Sequence, residues 1–103
     1  MGTLSQASME LRDEFNELAS LWDRETLLMS SALQITEHWA YQRIIAMGDP
    51  AVPLILSRMQ DKGPDHWFIA LTAITGIDAA IGEDTMQGAT KAWIVWGHEK
   101  SLI

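Results

Sequence analysis

Cysteine is absent from the 103 residues, so the fold holds neither a disulfide nor a thiolate-bound metal. Basic residues are scarce: seven Lys and Arg stand against fourteen Asp and Glu. The resulting formal charge of −7 works against contact with a phosphate backbone, and direct nucleic-acid binding is not expected. No window approaches the roughly 18 apolar residues of a membrane span. The opening stretch MGTLSQASMELRDEF has no basic region followed by an apolar run, and Gln6 stands where a myristoylation signal requires Ser or Thr. These absences predict a soluble, cytoplasmic chain with no membrane partner. There is no glycine-rich phosphate loop, serine elbow, His-x-x-x-His pair or paired-carboxylate motif. The motifs therefore assign no catalytic residue, no metal and no cofactor.

What is present points to an ordinary globular protein. Hydrophobic residues make up 48% and charged residues 20%, a balance that supports a core rather than disorder. A chain of this length forms one domain, here residues 1–103 with 1–7 expected to be disordered, and buries roughly two-thirds of its unfolded surface.

The hydrophobic pattern is helical throughout. Leu11, Phe15, Leu18, Trp22 and Met29 fall on one face of a helix starting near Ser8, with Ser5 or Ser8 as N-cap and Arg12, Asp13, Asn16, Glu17 and Ser20 opposite. A break is expected near Ser30-Ser31. Thr36 then caps a helix from Glu37 to Met47, whose buried side holds Trp39 or Tyr41, Ile44, Ile45 and Met47. Gly48 ends it, and Asp49-Pro50 reads as an N-cap followed by a first-turn proline. Val52, Ile55, Leu56 and Met59 form the next apolar face, with Ser57, Arg58 and Gln60 pointing outward.

Asp61-Lys62-Gly63-Pro64 ends that helix and Asp65 caps another. In this one Trp67, Ala70, Leu71 and Ile74 share a face, while Phe68 and Ile69 widen the apolar arc, so packing on two sides is expected. Gly76 stops it. Asp84 or Thr85 caps a last helix bearing Met86, Ala89, Trp93 and Trp96 or Val95, ending at Gly97. The predicted fold is all-α: a compact bundle of about five helices.

The stretch Ile44 to Ile74, a helix ending in Gly, then Asp-Pro-x-x-Pro-Leu-Ile-Leu, then a helix after a Gly/Pro/Asp turn, is similar to HEAT-like helical repeats. The resemblance implies helical hairpins whose apolar positions fill a shared core. Tyr41-Gln42, Ile44-Ile45, Met47-Gly48, Ala51 to Leu56 and Pro64 to Gly76, with Ala92-Trp93 and Trp96-Gly97, also resemble a family of small bacterial proteins of unassigned function. The family pattern has proline after His38 and tryptophan at position 69, where this chain has Trp39 and Ile69.

Two sets of residues are candidates for function. His38 and His66 stand at helix starts beside tryptophans, and His66 follows Asp65. As first-turn residues they serve the fold; as a convergent group they would supply a general base. The five tryptophans, Trp22, Trp39, Trp67, Trp93 and Trp96, either fill the core or mark an interface. The leading expectation is a non-enzymatic protein-protein interaction module with an acidic and aromatic surface, its candidate residues being His38, Trp39, Tyr41, His66 and Trp96. Its partner would be a protein such as a toxin, nuclease or phage factor, or a second copy in a homo-oligomer. The alternatives are a small hydrolase or nucleic-acid-processing enzyme using Asp65, His66 and His38, and an acidic nucleic-acid mimic.

Overall fold

The computed structural model describes residues 6–103. Six helices, and no strand, are present among them: α1 (Gln6–Thr26), α2 (Ala32–Glu37), α3 (Trp39–Met47), α4 (Ala51–Lys62), α5 (Phe68–Thr75) and α6 (Met86–Glu99). They pack in two layers, with α3 between α1 and α5 in one and α4 beside α6 in the other. No helix among the described residues is long and apolar enough to cross a membrane.

The longest helix starts earlier than expected. Gln6 and Ala7 belong to α1, and Ser8 lies inside the helix rather than at its cap. Ser5 and the rest of residues 1–5 lie outside the described residues. Phe15, Leu18, Ala19 and Trp22 form the buried stripe, whereas Met29 falls beyond the helix and is exposed.

Residues 27–31 make the expected break. Ser31, not Thr36, caps the next helix: its hydroxyl accepts the Gln34 N–H at 3.4 Å, starting the short α2. The Thr36 hydroxyl instead bonds to the Ala32 carbonyl at 2.9 Å, and Glu37 closes α2. The apolar pattern merges α2 and α3 because nothing but His38 separates them. Trp22 fixes α2 in place by donating its indole N–H to the Ile35 carbonyl at 2.7 Å.

Asp49 does not cap α4. Pro50 is the flanking residue, and the Asp49 carbonyl accepts the Val52 N–H at 3.0 Å with no side-chain cap. Asp65 likewise does not cap α5, which starts after Trp67 without a side-chain cap of its own. Tyr41 supplies the missing acceptor, its hydroxyl taking the Ala70 N–H at 2.9 Å in the interior. Gly76 ends α5 in the left-handed conformation, φ 76° and ψ 6°, which glycine adopts without penalty. Thr85 caps α6 through the Gly88 N–H at 2.9 Å.

Gly97 does not stop α6, which continues to Glu99. It is buried, and a Cβ there would lie 2.7 Å from Leu56 Cδ1 and 3.1 Å from Ile103 Cγ1. The glycine lets α6 approach α4 closely.

At the centre, Trp67 contacts three other rings: Trp22 with centroids at 4.6 Å, Tyr41 at 5.5 Å and Phe15 at 5.9 Å. All four residues are fully buried, as are Ile44, Ile55, Leu56, Met59, Leu71 and Trp93. Aromatic pairs at this range add about 0.5–1.5 kcal/mol each beyond the area they bury.

Candidate functional site

Trp39 is the outlier among the large side chains. It is the first residue of α3 and remains 57% exposed, where a core helix would place its apolar residues inward. His38 sets its position. The His38 Nδ1 caps α3 by accepting the Ala40 N–H at 3.1 Å, which leaves the ring proton on Nε2 to be donated to Glu25 Oε1 at 2.6 Å. Held at both nitrogens, the imidazole stacks on the indole of Trp39 with centroids 5.9 Å apart.

The opposite wall comes from α1. Glu10, Asp13, Glu14 and Glu17 follow the i, i+3, i+4, i+7 rule and form one carboxylate stripe beside Leu18 and Leu21. Together with Trp39 they line an open groove of about 430 Å³. Arg43 approaches Glu14 at 3.6 Å, an exposed pair that contributes little energy. The groove thus presents an aromatic face, the half-buried Leu21 and several carboxylates to solvent, over the buried Leu18.

A second concavity, a cleft of about 520 Å³, lies where the end of α1 meets the end of α4 and the turn before α5. Asp23, Arg58, Lys62, Asp65 and His66 line it over Ile35 and Trp67. Arg58 does not point outward as its spacing suggests: its Nη2 donates to Asp23 Oδ2 at 2.6 Å, and its side chain is 12% exposed. Asp65 accepts the His66 N–H at 2.7 Å. Partial burial pushes the Asp65 carboxyl above the usual range, and the adjacent Asp23 carboxylate adds to that, while the His66 N–H bond and ring oppose it.

The five sequence candidates separate. His38 and Trp39 belong to the acidic groove, and His66 belongs to the cleft, which His38 does not line. Trp96 is half-buried edge-on against Trp93 at 5.3 Å and borders a shallow hollow with Val95 and Lys91. Tyr41 is fully buried and offers nothing to a surface; its hydroxyl serves α5.

Sequence reasoning missed the carboxylate stripe, although its spacing is readable by the same rule that finds the apolar stripe. The Asp23–Arg58 pair spans 35 positions and leaves no local signal. Among the described residues, no group of three or more His, Asp or Glu side chains is placed to hold a metal ion. Comparison of the chain with protein-family models, curated proteins and solved structures gives no match.

Proposed function

We propose that the chain is a non-enzymatic helical module that binds a basic segment of a partner protein in the groove between α1 and α3. The observation that carries this reading is Trp39, 57% exposed among Glu10, Asp13, Glu14 and Glu17. An indole face attracts a guanidinium or ammonium group, neighbouring carboxylates pair with it, and the half-buried Leu21 accepts its aliphatic stem. The net charge of −7 would steer such a partner inward. The HEAT-like reading of Ile44 to Ile74 and a cytoplasmic location belong to the same proposal, and the alternating two-layer packing of α3 to α6 suits it.

Calorimetric titration with an arginine-rich peptide tests the groove. Trp39→Ala should weaken binding about tenfold, the loss of roughly 1.4 kcal/mol of cation–π and stacking energy. Glu99→Gln, which removes one exposed charge elsewhere, should change it little. Equal affinity for wild type and Trp39→Ala would remove the groove from consideration. The enzymatic alternative draws on the cleft, where Asp65 and His66 meet, but it lacks His38, whose ring nitrogens are both engaged.

A further inference from the structure

Charges of both signs are left over in the cleft where α1 and α4 end, and they stand next to each other. On the acidic side, Asp23 and Asp65 are adjacent carboxylates served by a single ion pair, the 2.6 Å contact of Arg58 with Asp23. Asp65 accepts the His66 N–H at 2.7 Å and has no Lys or Arg partner among the described residues. Burial first, and then this excess of negative charge, hold its carboxyl above the usual range. The last carbonyls of α1 and α4, whose ends line the same cleft, add partial negative charge.

On the basic side, the Arg58 side chain is only 12% exposed. Its one side-chain hydrogen bond among the described residues goes to Asp23, which leaves other N–H groups of the guanidinium fork without a protein acceptor. Lys62, the last residue of α4, lines the cleft with its ammonium unpaired among the described residues. Beneath these groups the wall is apolar: Ile35 and Trp67 are buried in it, and Met29, 40% exposed, stands beside them.

A simple anion entering the cleft meets Asp23 and Asp65, and a simple cation meets Arg58 and Lys62. A zwitterion satisfies both. The bridge from Arg58 to Asp23, with Asp65 beside it, sets the two signs within one ion-pair contact of each other, the closeness of an ammonium and a carboxylate that share one carbon. The volume of about 520 Å³ is that of a small-molecule site, and it leaves room for a large apolar side chain over Ile35 and Trp67.

We infer that the cleft is a binding site for a free apolar amino acid, its ammonium received by Asp65 and Asp23, its carboxylate by Arg58 and Lys62, and its side chain by Ile35, Trp67 and Met29. Trp39 lies outside this site, which stands whether or not the acidic groove takes a basic segment.

Calorimetric titration of the full chain with L-phenylalanine, and with its N-acetyl and carboxamide derivatives, tests the two charges separately. Phenylalanine should bind with saturation, and each derivative, lacking one charge, should bind about tenfold more weakly. Of the six methionines it is Met29 that lines the cleft, so its methyl resonance should move most on titration. Asp65→Asn keeps an oxygen for the His66 N–H and with it the fold. It should weaken phenylalanine about tenfold and leave the N-acetyl derivative unchanged, a loss of selectivity that a purely structural role would not produce. Lys62→Gln, at an exposed position, should narrow the gap between phenylalanine and its carboxamide in the same way. Trp39→Ala and Lys100→Gln should bind phenylalanine as the wild type does. Equal affinity for all three compounds overturns the inference by reducing the cleft to an apolar hollow, and so does an unaltered phenylalanine affinity in Asp65→Asn. Absence of binding by phenylalanine, leucine and methionine up to about 10 mM overturns it outright.

Discussion

Asp65 carries a partly buried carboxyl beside a second carboxylate, and folding therefore favours its protonated form. For an acid raised in this way, the stabilisation is fully present below the ordinary Asp range, near pH 4, and is lost as pH rises through the raised value. At neutral pH the ionised group is a burden. Asp65→Asn keeps an oxygen for the His66 N–H and removes that burden, so urea melts should show higher stability at pH 7 and a flatter profile between pH 4 and 7. Tyr41 is raised by burial above all, with Asp65 adding to it and the Ala70 bond opposing it. Its contribution is fully present below the ordinary tyrosine range near pH 10 and is lost above it, so the protein should weaken as the unfolded phenol ionises. Tyr41→Phe leaves the Ala70 N–H without its acceptor and should cost about 1–3 kcal/mol at pH 7 in the same melts. Neither residue is fully legible from its neighbours in sequence. Both read as local features, a cap and an apolar-face residue, whereas their partners lie 42 and 29 positions away, at Asp23 and Ala70.

The helices are more legible than their ends. Apolar spacing locates the buried faces of α1, α4 and α6 because periodicity depends on many residues at once. The caps depend on one side chain each: Asp65 and Thr36 turn to the neighbouring N–H and the α2 backbone, and Asp49 contributes its backbone carbonyl to a turn. Gly97 misleads for a related reason. A glycine near a helix end suggests a stop, but here its missing Cβ admits Leu56 and Ile103 against α6. Gly97→Val should therefore destabilise by about 1–3 kcal/mol through overpacking, measurable by chemical denaturation. Ser31→Ala, which removes the cap of a helix only six residues long, should cost about 0.5–2 kcal/mol and increase hydrogen exchange at Gln34.

Across the molecule, the all-α class and the burial of Trp67 and Trp93 are legible in the sequence. The meeting of α1, α3 and α5 around four rings is not, since it requires contacts no local pattern encodes. Trp67 joins those helices, and Trp67→Ala should cost about 3–5 kcal/mol, a large share of the roughly 5–15 kcal/mol typical of a domain. The variant should be largely unfolded at 37 °C by circular dichroism. The five indoles also divide the molecule optically. Trp22, Trp67 and Trp93 are sealed, Trp96 is half-covered, and Trp39 stands in solvent beside carboxylates. The red-shifted part of the emission therefore belongs mainly to Trp39, and the field around it selects its quenchers: caesium ions should reach it more readily than iodide. The protein thus reports the sign of charge at its own groove, and an occupant of that groove would silence the difference.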